Sequence, residues 1–326
     1  MKGKPRILIT QSDPAPFVNR DAEIFAKHFQ VQSFLFRGKR SVPALAAHIA
    51  RSKVVFSWFA LGNATSAVLL SRIMRKKSLV VAGGWDVFYL PEIDYGAMKS
   101  KKRIRRTTYA LKHADRVLAV SEFTKKRVLD WIDRDVDVVY NGVDTEKFRP
   151  SGEKKNLVIT VAGINNLVRM KVKGIETFLE AARKMDDTEF AIIGRNSPEW
   201  DKKLREEAPK NTRIIGRSSQ DELLSYYQAA KVYAQLSYHE SFGVSLAEGM
   251  ACGCIPVATN RSALPEVVGD TGFYMDYGDV DGAVEALHKA LKSTKSQDSR
   301  NRVKERFSSG IREEKLIEIV NDELYG

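Results

Sequence analysis

Short apolar runs alternate along the chain with longer segments in which apolar residues recur every three or four positions. The short runs are typical of buried parallel strands, and the longer periodic segments are typical of amphipathic helices. We therefore expect strands at residues 6–11, 32–36, 53–57, 79–82, 116–120, 136–140, 156–162, 189–194, 212–216, 232–236, 255–258 and 273–274.

The intervals between these runs favour helices, and strand and helix alternate in both halves of the chain. This alternation is typical of doubly wound parallel sheets. We predict an α/β protein with two Rossmann-like domains facing each other across a cleft, at residues 1–150 and 151–310, with a linker at Pro150-Ser151-Gly152. The expected helices include 20–29 (after a proline-rich loop at 13–17), 99–112, 175–184, 221–229, 281–292 and 311–324.

The segment from Tyr238 to Asn260 has the most specific chemistry. Its pattern predicts that Ser241 caps a helix whose first turn is 242–244, and that Gly253 ends this helix before a buried strand. A helix start with glycine in its first turn favours anion binding, because unpaired N–H groups and the positive end of the dipole point at one place.

Two carboxylates flank this helix start: Glu240 precedes it, and Glu248 lies two turns inside the helix. Carboxylates next to a phosphate site suit hydroxyl groups, so the pattern predicts a ligand that joins a sugar through a diphosphate to ribose. Taken alone, two glutamates at this spacing are more often a local cap and an exposed helix residue.

A second anion site is predicted in the loop from Gly163 to Lys173-Gly174, where cations lie at the mouth of the following helix. Farther along, Tyr226 and Tyr227 are interpreted as core residues rather than site residues.

Composition excludes several classes of protein. A chain of 326 residues with 43% hydrophobic content is large enough for two cores. We see no apolar run near the ~18 residues that span a bilayer and no basic-then-apolar leader, so we expect a soluble cytoplasmic protein. Cys252 and Cys254 are too close together for a disulfide framework and lack partners for zinc, so both are expected to be buried residues and no metal site is predicted.

The net charge of +12 is unevenly distributed. Residues 1–152 contain 28 Lys and Arg against 14 Asp and Glu, and the remainder contains 25 against 27. Six cations fall within residues 99–106. This run is either a solvated helix face or a contact with an anionic membrane surface or acidic acceptor, and a nucleic-acid partner is not expected.

The segment ESFGVSLAEGMACGCIPVAT, which begins at Glu240, closely resembles the E-x7-E motif of retaining GT-B glycosyltransferases. This family, family 4-like or group 1, includes sucrose-phosphate synthase and bacterial mannosyltransferases. VSEFTKKRV and VYNGVDTEKFRP resemble its interdomain segment, and Gly83 to Asp86 resembles its H-G-x-D loop with glycine in place of histidine. The resemblance covers most of the chain and implies a GT-B fold in which the terminal helix, 311–326, packs on the first domain.

The resemblance also implies roles for individual residues. Glu240 would contact the donor sugar, and Arg169 and Lys173 the diphosphate, all three as catalytic residues. Lys171 is the alternative to Arg169, because Ile164 occupies the position next to Gly163 where the family has its arginine. The remaining implied contacts are Glu248 to the ribose hydroxyls, the backbone of Phe242, Gly243 and Val244 to sugar and phosphate, Gly216 and Arg217 near the base, and Trp85, Asp86, Phe17 and Asn19 on the acceptor side.

These expectations converge on a metal-independent retaining hexosyltransferase. Its co-substrate would be a nucleoside-diphosphate sugar, with no other cofactor, and its acceptor a lipid, a saccharide or another glycoconjugate precursor. Peripheral contact with an anionic membrane through the basic first domain is part of this hypothesis. Two alternatives stay open: a UDP-sugar epimerase of the same architecture, and a basic nucleic-acid or membrane-surface binding protein with a degenerate donor site.

Overall fold

The computed structural model describes residues 4–326. Its backbone contacts divide the chain into two compact units: one runs to Gly142 and also contains residues 310–326, and the other is Val143–Ser309. The boundary expected at residues 150–152 lies inside the second unit. Phe148 explains this position, because its buried ring packs on Tyr227 at 6.0 Å between centroids.

Parallel strands and helices alternate in the first unit. Its strands are β1 (Arg6–Gln11), β2 (Gln30–Leu35), β3 (Val54–Trp58), β4 (Lys77–Ala82), β5 (Tyr89–Leu90), β6 (Tyr95–Gly96), β7 (Arg116–Ala119) and β8 (Asp137–Val138). Its helices are α1 (Pro16–His28), α2 (Val42–Ala50), α3 (Gly62–Ile73), α4 (Lys101–His113) and α5 (Glu122–Leu129).

The first sheet has the order β2-β1-β3-β4-β7-β8, and all its neighbouring strands are parallel. Residues along β1 alternate between two cores: Ile7 and Ile9 lie in one, and Leu8 lies in another with Leu45 of α2. Helices therefore cover both faces, which explains why the strands are apolar without a polar side. The short β5 and β6 form a separate antiparallel hairpin.

The second unit repeats this architecture. Its strands are β9 (Lys155–Val161), β10 (Glu189–Ile193), β11 (Thr212–Ile215), β12 (Ala230–Gln235), β13 (Ile255–Thr259) and β14 (Phe273–Met275). Its helices are α6 (Leu167–Lys173), α7 (Ile175–Arg183), α8 (Pro198–Glu207), α9 (Gln220–Ala229), α10 (Val244–Ala251), α11 (Leu264–Val268), α12 (Val280–Lys292) and α13 (Ser296–Arg306).

The second sheet has the order β11-β10-β9-β12-β13-β14 and is parallel throughout. This is the 3-2-1-4-5-6 order of a doubly wound sheet, whose ligands bind where the order reverses. Here the reversal falls between β9 and β12. The predicted α/β class with two Rossmann-like parallel sheets is confirmed.

The last helix, α14 (Ser309–Tyr325), packs on the core of the first unit through Leu316 and Val320. Its Arg312 is 4% exposed and donates to both carboxylate oxygens of Asp21, at 2.7 Å each. The same guanidinium donates to the carbonyl oxygen of Tyr140 at 2.7 Å. A buried bidentate pair therefore joins α14 to α1 and to the strand edge.

Two sequence-based boundaries near the candidate site residues are wrong. The first helix starts at Pro16 rather than residue 20, because proline is well suited to the first helical position. The segment expected to be a loop up to residue 174 contains α6, which begins after Asn166, whose side chain accepts a hydrogen bond from the Arg169 N–H at 2.8 Å. Within residues 4–326, no helix is both long and apolar enough to cross a bilayer.

Candidate functional site

The candidate site lies at the carboxyl ends of β9 and β12, where the strand order reverses. Gly174 ends α6 with a φ of 63°, and a Cβ atom there would lie 1.8 Å from the carbonyl oxygen of Leu236, just after β12. The N–H of Tyr238 donates to the carbonyl oxygen of Val172 at 2.8 Å. The end of α6 is therefore pressed against the segment that leads to Glu240, and only glycine permits this approach.

Glu240 and Lys173 form an ion pair at this contact. Lys173 Nζ lies 2.6 Å from Glu240 Oε1, and the two side chains are 16% and 15% exposed. The same oxygen accepts hydrogen bonds from Ser237 Oγ at 3.0 Å and Gln235 Nε2 at 3.1 Å. Glu240 Oε2 accepts no hydrogen bond from any residue that the structure describes, so one carboxylate oxygen is held by the protein and the other is available to a ligand.

Electrostatics keep Glu240 ionised. Burial acts to raise the pKa of its carboxyl group, but the charge and hydrogen bond of Lys173, with the hydrogen bond of Ser237, outweigh burial and lower the pKa from 4.5. The carboxylate is therefore charged at neutral pH and accepts hydrogen bonds from hydroxyl groups.

A buried network holds the donors of Glu240 in place. Gln235 Nε2 also donates to Ser237 Oγ at 2.6 Å, and Gln235 Oε1 accepts from the Tyr233 hydroxyl at 3.3 Å. The Tyr233 hydroxyl in turn accepts from the N–H of Val161, the last residue of β9, at 3.2 Å. The network thus links the two strands at the reversal. These residues were not predicted from the sequence, although a glutamine in an otherwise apolar strand was a detectable sign.

Glu248 lies on α10 and is 5% exposed, so it is neither solvent-facing nor a surface helix residue. The hydroxyl of Tyr227, on α9, donates to Glu248 Oε2 at 3.2 Å. Tyr227 is fully buried, as its interpretation as a core residue required, but its polar end reaches a predicted site residue.

The start of α10 differs from the prediction. Gly243 is the N-cap with φ 93° and ψ 58°, the helix begins at Val244, and no side chain caps it, so the predicted cap role of Ser241 is wrong. The left-handed backbone of Gly243 disfavours a side chain there and delays the helix by two residues. Phe242 precedes the helix and packs on Phe307 at 5.3 Å between ring centroids, so only its backbone is available to a ligand.

The end of α10 follows the prediction. Gly253 has a φ of 81°. Its N–H donates to the carbonyl oxygen of Met250 at 2.9 Å, and the N–H of Cys254 donates to the carbonyl oxygen of Gly249, also at 2.9 Å. These bonds close the helix with a left-handed glycine. Both cysteines are buried and free, as expected.

The cations of α6 divide between two faces. Arg169 and Lys173 are four residues apart and share a face, whereas Lys171 is exposed and lies away from it. Because Lys173 contacts Glu240, this geometry favours Arg169 over Lys171 as the second cation of the site. Arg217 is exposed, and Gly216 has open space where a Cβ atom would lie.

The predicted acceptor-side residues belong to the first unit. Asp86 is completely buried, and its Oδ2 accepts from the Ala60 N–H at 2.6 Å. Burial raises the pKa of Asp86 to about 6, against the lowering effect of backbone hydrogen bonds. The enclosed carboxyl group thus anchors the loop through Oδ2, and a role for Asp86 on the acceptor side stays a prediction.

The other acceptor-side candidates are more accessible. Trp85 and Phe17 are half-buried and Asn19 is exposed. Phe17 lies in the first turn of α1 rather than in a loop, and its ring packs on Trp58 at 4.6 Å between centroids. A Cβ atom on Gly83 would come within 2.2 Å of the Phe59 ring, which explains the glycine at that position.

Known protein families match both halves of the chain. Residues 144–307 match the family model described as glycosyl transferases group 1, and residues 7–147 match that of glycosyltransferase family 4. An uncharacterized glycosyltransferase of Methanocaldococcus jannaschii is 28% identical over 50% of this chain and 45% of its own length. N-acetyl-alpha-D-glucosaminyl L-malate synthase of Bacillus anthracis is 25% identical over 79% of this chain and 71% of its own length.

The chain thus spans about half the length of the first of these relatives and less than three quarters of the second. Among solved structures, Anabaena HepE in complex with UDP and glucose has a TM-score of 0.79. It is 15% identical, and the match covers 98% of this chain and 100% of HepE. This likeness shows that the two parallel-sheet units have the GT-B fold.

Proposed function

The chain belongs to the glycosyl transferases group 1 family, and we therefore propose that it transfers a sugar from a nucleoside-diphosphate sugar to a hydroxyl group of an acceptor. The observation that supports this most directly is the arrangement of Glu240, Lys173 and Glu248 around the reversal between β9 and β12. The carboxylates can accept hydrogen bonds from hydroxyl groups, and the cation can contact phosphate. All three side chains lie at the edge of the sheet where this fold binds nucleotides.

Each group has a distinct task in the proposed complex. The available Oε2 of Glu240 accepts a hydrogen bond from a hydroxyl group of the donor sugar, and Glu248 accepts hydrogen bonds from the ribose hydroxyls. Lys173 and Arg169, on one face of α6, contact the diphosphate, together with backbone N–H groups from Phe242 to Val244. The complexes of HepE with UDP and with UDP-glucose support a donor of this class.

The same groups account for catalysis. When the bond between sugar and diphosphate breaks, negative charge develops on the leaving phosphate. Arg169, Lys173 and the start of α10 stabilise that charge in fixed positions, and one such donor typically contributes about 3 kcal/mol, or around a hundredfold in rate. We propose that the reaction retains the anomeric configuration, that the leaving phosphate accepts the proton of the acceptor, and that no metal ion is required.

Donor binding tests the proposal directly. We expect UDP-, GDP- or ADP-linked sugars, screened by thermal shift, to include one that stabilises the protein saturably, by about 2.7 kcal/mol at a hundred times its dissociation constant. Glu240→Gln should weaken the binding, whereas Glu199→Gln, at an exposed position on α8, should leave it unchanged.

Product analysis separates the alternatives. With the donor identified, NMR of the product glycoside in the presence of EDTA tests both retention and metal independence. Conversion of the donor sugar without any acceptor would instead indicate an epimerase. Failure of every nucleotide sugar to bind, combined with salt-sensitive binding of polyanions, would contradict the transferase and favour a basic binding protein.

A further inference from the structure

One side of the first unit lacks acidic residues. The helices α2, α3 and α4 contain no Asp or Glu, and residues 24–85 contain ten Lys and Arg without a single carboxylate. On α4, six exposed cations form no ion pair with any residue in the described range: Lys101, Lys102, Arg103, Arg105, Arg106 and Lys112.

Some cations elsewhere in the unit are compensated. Lys77 and Arg116 both pair with Glu323 at 2.9 Å. The exposed cations of α4 have no such partner within the described residues, so this surface keeps its positive charge and attracts an anionic partner.

The neighbouring helix α3 runs alongside α4. Thr65 Oγ1 donates to the carbonyl oxygen of Arg106 at 3.2 Å near one end. Near the other end, burial and then the charge of Arg72 lower the pKa of His113, so the last turn of α3 lies beside the last turn of α4. Side chains on the outer face of α3 thus share a surface with the basic helix.

That outer face is apolar at two positions. Leu69 is 46% exposed and Ile73 is 70% exposed, and they lie four residues apart on one side of α3. A solvated charged surface does not require large aliphatic side chains to be exposed together. Aliphatic side chains flanked by unpaired cations are, however, typical of surfaces that lie at a lipid–water interface.

We propose that this α3–α4 face docks on an anionic lipid bilayer. Leu69 and Ile73 insert at the boundary between headgroups and acyl chains, and the α4 cations contact the lipid phosphates. Each cation near an anionic membrane is expected to contribute about a fivefold increase in affinity at low salt. Docking here does not depend on the donor site, which lies in the second unit.

Two other partners fit less well. Nucleic acid would use the cations but would gain nothing from the exposed aliphatic pair, since its affinity comes from phosphate contacts. A second copy of the chain would bring two like-charged faces together, which is unfavourable. The combination of charge and aliphatic exposure therefore favours a bilayer.

Vesicle co-sedimentation of the full chain tests this proposal. We expect binding to phosphatidylcholine vesicles that contain 30% phosphatidylglycerol, weakening steeply between 50 and 300 mM NaCl, and little binding to phosphatidylcholine alone. The double variant Leu69→Ser with Ile73→Ser should lose more than tenfold in affinity while keeping the salt dependence. The triple variant Lys101→Gln, Lys102→Gln and Arg105→Gln should lose about half of the salt dependence.

Matched variants control for nonspecific effects. Leu129→Ser removes an equally exposed aliphatic side chain from α5, and Lys202→Gln with Lys203→Gln removes cations from α8. Both should bind vesicles like the unmodified protein. All variants should keep the same melting temperature and the same affinity for nucleotide sugars, so failure of docking is distinguishable from failure of the proposed transferase function.

Three results would overturn the proposal. The first is absence of binding to the anionic vesicles, or binding that does not change in the Leu69 and Ile73 variant. The second is preferential binding of a 20-base-pair DNA duplex, unaffected by that variant. The third is a dimer that the same variant dissociates in size-exclusion chromatography while vesicle binding is absent.

Discussion

At the residue scale, the site depends on which atoms of Glu240 and Glu248 are already occupied. Oε1 of Glu240 has three protein donors, and Oε2 of Glu248 has the Tyr227 hydroxyl. The motif made the two glutamates predictable from the sequence. Lys173 was also predicted, but Ser237 and Tyr227 come from the segment after β12 and from α9, and their contacts depend on tertiary packing. Gln235 was detectable only as a glutamine in an otherwise apolar strand.

The choice between two cations on α6 can be tested by paired substitution. Arg169→Met should lower kcat about a hundredfold, because a fixed positive group facing the leaving phosphate is lost. Lys171→Met should change kcat by less than about twofold, since its side chain points away from the shared face. Steady-state kinetics with the identified donor measures both. A reversed order would assign the diphosphate contact to Lys171.

Tyr227 provides a second paired test. Tyr227→Phe removes the hydrogen bond to Glu248 without creating a cavity, and we expect the KM for the donor to rise about three- to tenfold, consistent with about 1 kcal/mol. The value of kcat should change little, because the ribose is remote from the breaking bond. Tyr226→Phe, at the adjacent half-buried position, is the control. Equal effects of the two variants would argue against a positioning role for Tyr227.

Asp86 should give the first unit a distinctive pH dependence. Its pKa is about 6 in the folded protein and 3.8 in the unfolded chain, so the folded state binds the proton more tightly. Its contribution to the free energy of unfolding is therefore full below pH ~4 and is lost as pH rises through about 6, by up to about 3 kcal/mol.

Urea unfolding at several pH values measures this effect. The free energy of unfolding of the unmodified protein, minus that of Asp86→Asn, should fall between pH 4.5 and 7.5. The exposed Asp133→Asn serves as the control, and its difference from the unmodified protein should stay flat. A flat difference for Asp86→Asn as well would mean that burial does not raise the pKa of this carboxyl group.

At the scale of elements, the strands were predicted more accurately than the helix ends. Apolar runs identify buried strands directly, and the central strands of both sheets lie within a residue or two of their expected positions. Helix starts depend on backbone conformation: Gly243 begins α10 in a left-handed conformation that Ser241 does not signal, and α6 is too short for its periodicity to be visible.

The terminal helix α14 allows a test of a buried ion pair. Arg312→Met should destabilise the first unit by about 3–5 kcal/mol, because it leaves the carboxylate of Asp21 buried without compensation. Lys315→Met, at an exposed position on the same helix, should cost less than about 0.5 kcal/mol. Urea unfolding monitored by tryptophan fluorescence provides the measurement, since Trp58 Nε1 donates to Asp21 at 2.9 Å.

A double substitution serves as the check. Asp21→Asn combined with Arg312→Met removes both charges and should be less destabilising than Arg312→Met alone. A double variant less stable than the single one would show that packing of the arginine, rather than the unpaired charge, dominates.

At the scale of the whole molecule, the alternation of strands and helices was sufficient to predict two doubly wound sheets, because connections between parallel strands follow few topologies. Strand order was not predictable from the pattern, since all the strands are similarly apolar. The order places the reversal between β9 and β12 and thereby explains why residues 161, 173, 233 and 240 meet. The charge asymmetry was evident in the sequence, but the exposed Leu69 and Ile73 beside it required the structure.

The contact between Lys173 and Glu240 has a consequence for selectivity between substrate and product. A nucleoside diphosphate without its sugar must draw the lysine away and leave the carboxylate with less neutralising charge. The intact donor replaces that lost interaction with sugar hydroxyls. The proposed enzyme should therefore hold its donor more tightly than the spent nucleotide, which favours release of the by-product and turnover in a cell where both are present.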